Sequence, residues 1–132
     1  MKAIKMALVS VIILLQLSCS KEKSVNNPLS NRVIRFELYA KKDNSDNNHN
    51  ITFSLFIKSH KKVLFDSTLA VMKIKDIPDS TQKLVFEKKV PDDDGSELAA
   101  GFRYVIEGVG NSSHLDVCRA GESFKLIEFP FQ

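Results

Sequence analysis

From Arg32 onward the chain predicts an all-β fold, an antiparallel sandwich of seven or eight strands. Three observations carry that expectation. Apolar residues recur with a period of two up to the C-terminus, the spacing that puts alternate side chains on one face of a pleated strand. Clusters of Asp, Asn, Ser, Gly and Pro interrupt the alternation at short, roughly even intervals, as in domains built of many short strands. No segment holds a persuasive 3.6-residue period, so no helix is expected.

The strands follow in order. Ile34, Phe36, Leu38 and Ala40 alternate with Val33, Arg35, Glu37 and Tyr39, a half-buried first strand. Residues 41–50 are polar and turn-forming. Ile51, Phe53, Leu55 and Ile57 then alternate with Thr52, Ser54, Phe56 and Lys58. Phe56 breaks the pattern by falling on the polar face, which suits either a buried position or a patch for a partner. Ser59, His60 and Lys61 make a turn, and Val63 and Phe65 lead a third strand. Residues 69–77 are ambiguous. Val71, Met72, Ile74 and Ile77 could share a helical turn, but their β-branched content favours a strand. Pro78 ends it. Leu84 and Phe86 mark a strand within residues 82–90, before the acidic turn of residues 91–95. Phe102, Tyr104 and Ile106 alternate with Arg103, Val105 and Glu107 in a strong strand. Residues 108–113 read as a glycine-rich turn, 114–119 as a short strand and 120–122 as a hairpin turn. Residues 124–131 close the domain, with Pro130 indicating a sheet edge or strand end.

This order resembles immunoglobulin and fibronectin type III sandwiches. The segment 101–108, with Tyr104, is similar to their penultimate strand, where a Tyr often pins the corner. The Cys…Trp…Cys signature of antibody domains is absent, since the chain has no Trp. The resemblance is one of fold and does not carry function.

Residues 1–18 read as a cleaved signal peptide. Lys2 and Lys5 precede an apolar run over residues 6–15 that only Ser10 interrupts. The run is short for a bilayer-spanning helix, which needs about 20 apolar residues. Leu17-Ser18-Cys19, followed by Ser20-Lys21-Glu22-Lys23, resembles the lipobox of bacterial lipoproteins. That family usually has an aliphatic residue three positions before the Cys. This chain has Gln16, flanked by Leu15 and Leu17. The resemblance implies cleavage before Cys19, a diacylglycerol on its thiol and often an acyl group on the new amine. Two or three acyl chains anchor stably where one binds marginally. Residues 19–31 then form a lipidated start and a flexible tether, and residues 32–132 the domain. The expected place is the outer membrane, facing the periplasm or the cell surface. Ser20 in place of Asp disfavours inner-membrane retention.

Composition agrees with one exported domain. The chain has 132 residues, and loss of the first 18 leaves 114. The net charge of +3 includes Lys2 and Lys5, so the mature side chains sum to +1. No dense basic stripe is interleaved with aromatics, and nucleic acid is not an expected partner. With Cys19 lipidated, Cys118 has no partner for an intramolecular disulfide. It reads as a buried, structural thiol.

Catalytic patterns are missing. There is no G-x-S-x-G elbow, no H-E-x-x-H and no P-loop. Ser113, His114 and Asp116 sit close in sequence, but strand neighbours point to opposite faces, so a triad is not expected. His49, His60 and His114 lack metal-ligand spacing. Asp92, Asp93 and Asp94 lack the spaced oxygens of a calcium loop, and Asp43 and Asp46 read as loop. No cofactor, metal or enzymatic activity is expected. Asp66-Ser67-Thr68 and Asp79-Ser80-Thr81 resemble loose bacterial O-glycosylation sites. The functional expectation is an envelope interaction module for a protein or a glycan. The alternative is a small-ligand-binding or enzyme-accessory lipoprotein.

Overall fold

The computed structural model describes residues 30–92 and 95–132. The expected signal segment, Cys19 and nearly all of the tether lie outside the described residues. Eight strands form: β1 (Asn31–Ala40), β2 (Asn50–Lys58), β3 (Val63–Thr68), β4 (Met72–Lys73), β5 (Leu84–Pro91), β6 (Leu98–Ile106), β7 (Gly110–Cys118) and β8 (Phe124–Phe131). The smaller sheet has the order β5-β1-β8. The larger has the order β3-β2-β6-β7, with β4 pairing the start of β2. The domain is all-β, in two sheets, as the period-two pattern predicts.

The two sheets share one core. Ile34, Phe36 and Leu38 of β1 meet Ile51, Phe53, Leu55 and Ile57 of β2 and Leu98, Ala100 and Phe102 of β6, all buried. Each fully buried side chain of this size contributes about 1.5–3 kcal/mol. Aromatic rings fill the end of the core near the C-terminus. Phe129 lies 5.4 Å from Phe102, 5.6 Å from Tyr104 and 5.2 Å from the His114 ring, centroid to centroid. Phe53 and Phe131 stand nearly perpendicular to each other.

Four expectations need correction. The sandwich is not purely antiparallel: β1 and β8 run parallel, with Phe36 beside Ile127. Alternation gives a strand its faces but not its direction, and a parallel pair needs a long connection; here the whole chain between the two strands supplies it. β7 begins at Gly110, so residues 110–113 belong to a strand and the turn is only residues 107–109. Residues 69–77 are neither one strand nor a helix: β4 is followed by a 3-10 turn, Ile74–Asp76, which buries Ile74. Tyr104 also sits in β6, which two strands follow, and its ring packs among Phe53, Phe129 and Phe131. Pro130 lies on the edge strand β8, where a missing N–H is tolerated.

Candidate interaction surface

The outer face of the larger sheet is built by cross-strand rows. One row runs Asp66, Phe56, Gly101, Leu115, and the next runs Thr68, Ser54, Arg103, Ser113. Gly101 has no side chain to stand between Phe56 and Leu115. A Cβ there would lie 2.0 Å from the His114 carbonyl oxygen, so only glycine lets β7 approach this closely. Phe56 faces outward yet is only 8% exposed. The Arg103 guanidinium lies 5.3 Å from its ring centroid, and the Lys58 ammonium 5.9 Å. Arg103 forms an ion pair with Asp66. Both are about half exposed, so this pair fixes geometry more than it stabilises.

The result is a depression of about 210 Å³ floored by Phe56, with Val63 and Leu115 on its rim. Val63, Leu115 and Val105 are all more than half exposed, and Val117 is 37% exposed. A hydroxyl-rich depression carrying Ser54, Thr68 and Ser113 adjoins it across the Arg103–Asp66 pair. The Ser54 and Thr68 hydroxyls are 2.9 Å apart.

The smaller sheet's outer face has a different character. The Lys83 ammonium donates to Glu37 at 2.9 Å and Glu128 at 3.0 Å and lies 4.8 Å from the Tyr39 ring centroid. Arg35 pairs with Glu37. Phe124 and Leu126 are exposed beside this charged lattice.

The sequence-derived candidates do not converge. His49 and His60 lie exposed in separate loops, while His114 stacks on Phe129. Asp116 faces the same side as His114 but pairs with Lys125 at 2.9 Å, which holds its carboxyl below the usual range. Ser113 is on the opposite face, beside Arg103. Cys118 is fully buried, and burial pushes its thiol up. Asp92 accepts from Arg32 at 2.6 Å. Asp93 and Asp94 lie outside the described residues. Asp43 and Asp79 accept the amides of Ser45 and Thr81 in tight polar turns. Ser67 lies within β3, opposite Leu55, while Ser80 sits exposed in the Asp79 turn. Among the described residues no three His, Cys, Asp or Glu side chains cluster to hold a metal. No described helix is long and apolar enough to cross a membrane.

Phe56 stands out in the sequence by its parity, whereas its neighbours on this face do not. Leu115 and Ser113 became visible only with the β6–β7 register, because residues 110–113 carry the glycine and polar residues of a turn. No known protein family, no curated protein and no solved structure gives a significant match to this chain.

Proposed function

We propose that this protein is a lipid-anchored interaction module of the bacterial envelope, which presents the outer face of its larger sheet to a protein or glycan. The observation that carries the reading is the apolar depression over Phe56, edged by exposed Leu115 and Val63. A groove of this kind, flanked by paired charges, is what a partner can cover with little desolvation cost. The anchor part of the proposal is supported by the Lys2/Lys5 start, the apolar run and the Leu17-Ser18-Cys19 sequence. An immunoglobulin-like sandwich is its architectural part, supported by two facing sheets with a shared core.

The test is site-specific photo-cross-linking in cells, on the full chain. A photoreactive residue at Leu115 should give discrete adducts that the same residue at Glu87, on the charged face, does not. Equal labelling from both positions, or none, would remove the support for this face.

A further inference from the structure

We infer that the free edge of β7 is a strand-addition site, which takes an extended segment of a partner protein as a further strand of the larger sheet. This deepens the interaction-module reading and rests on it, by naming the class of partner.

Hydrogen-bond parity shows which backbone groups are on offer. The Glu107 N–H donates to the Asn50 carbonyl at 3.0 Å. Odd residues of β6 therefore face β2, and even ones face β7. Phe102 lies opposite His114, and Ala100 opposite Asp116. The even residues of β7 thus make the rungs to β6. Asn111, Ser113, Leu115 and Val117 turn their N–H and C=O groups off the sheet.

The other edges carry a guard that this one lacks. The Asp92 N–H donates to the Ser30 carbonyl at 2.8 Å. Even residues of β5 therefore face β1, and Pro91 faces outward with no donor. The Val33 and Lys41 amides donate to the Ser123 and Phe131 carbonyls, both at 2.8 Å. Even residues of β8 therefore face outward, and Pro130 is among them. β3 has only six residues, and its pairing shifts register at Ile57/Lys58. Proline, short length and irregular register are the ordinary means of blunting an edge. β7 has nine residues and contains no Pro, Lys or Arg. Its one closed position is the last: the Asp116 carboxylate takes the Val117 N–H at 2.7 Å. The open stretch is Asn111 to Leu115.

The occupant follows from the chemistry of the edge. Alternating donors and acceptors at strand spacing are matched by an extended backbone, and not by a sugar ring or a helix face. Among the described residues no strand pairs with this edge. A second copy fits poorly. Two-fold pairing centred on Ser113 would set exposed Leu115 against Asn111, an apolar group against an amide, and pairing centred on Leu115 would set Ser113 against Val117, whose N–H the Asp116 carboxylate already holds. A partner segment with apolar residues at alternate positions sets one of them over Leu115 on the outer face and turns its polar residues to the side of Ser112, His114 and Asp116.

The test uses the full chain and a displayed library of random decapeptides. Selected peptides should alternate apolar and polar residues, and should slow hydrogen exchange at the Ser113 and Leu115 amides. Ser113→Pro removes one outward donor without touching a rung to β6. It should weaken peptide binding by about tenfold or more while the protein stays folded. Leu115→Asp keeps the backbone edge and charges the face, and should do the same. The strand-addition proposal is overturned if no peptide is selected, or if binding survives both variants. It is also overturned if sedimentation shows self-association that Ser113→Pro abolishes, which would make the occupant a second copy. Photo-adducts from Leu115 that persist in Ser113→Pro would keep the module reading and reject strand addition. Absence of both Leu115 adducts and selected peptides with β7 otherwise unsubstituted would reject the module reading itself.

Discussion

Arg32 places its guanidinium at 1% exposure, where it donates to Asp92 at 2.6 Å and to the Ser96 carbonyl at 2.6 Å. The charge-assisted hydrogen bond to Asp92 raises the pKa of Arg32 and lowers that of Asp92. Arg32→Ala leaves the carboxylate without its cation and opens a gap under β1, and should cost about 3 kcal/mol in urea unfolding. Phe129 is a different kind of anchor, touching the rings of Phe53, Phe102, Tyr104, His114 and Phe131. Phe129→Ala should cost about 3 kcal/mol, measured the same way, since so many ring contacts vanish together. Cys118 is enclosed, with its thiol directed at the Glu122 carbonyl at 3.7 Å. Burial raises its pKa, so the nucleophilic thiolate is scarce. In native buffer it should resist a thiol-directed chromophore and react fully once the chain is unfolded. Rapid native labelling would contradict its enclosure.

At the scale of elements, the β6–β7 pair depends on one small residue. Gly101 lies between Phe56 and Leu115 in register, with the His114 carbonyl in the space a Cβ would need. Gly101→Ala must push backbone against backbone, where no flexible side chain can yield. It should lower the thermal midpoint by more than Phe129→Ala does, or abolish folding. The pattern of this pair was half legible in the sequence. Phe102, Tyr104 and Ile106 announced β6 by their spacing, and Phe36 and Phe53 announced β1 and β2 in the same way. The N-terminal half of β7 was not legible, because Gly110, Asn111, Ser112 and Ser113 have turn-like propensities that sheet pairing overrides. Strand direction was hidden for another reason. Side-chain alternation is identical in parallel and antiparallel neighbours, so nothing in residues 124–131 distinguishes them. The candidate surface shared that limit: Phe56 stood out by its parity, while Leu115 and Arg103 joined it only through register.

Across the whole molecule, two properties extend beyond any single strand. If Cys19 carries the lipid, Cys19→Ala should abolish fatty-acid labelling and release the protein from the membrane fraction; retained label would disprove the anchor. Ion pairs, in turn, tie the sandwich together at separate points. Asp92 answers Arg32 across β1 and the end of β5, Asp116 answers Lys125 across the two sheets, and Glu128 answers Lys83 across the smaller sheet. Each of these carboxyls lies below its ordinary value, 3.8 for Asp and 4.5 for Glu, through the side-chain hydrogen bond from its cation. A carboxyl whose folded pKa is depressed binds fewer protons folded than unfolded in that range. Its contribution is therefore complete above the ordinary value and is lost as pH falls through the lowered one. Thermal midpoints measured downward from pH 7 should hold until the carboxylate range and then drop. Asp92→Asn should start lower at neutral pH, having lost its charge pair, and should fall less steeply in acid because one of the linked protons is gone. An unchanged acid slope in Asp92→Asn would mean that the Arg32 pair does not couple protonation to folding.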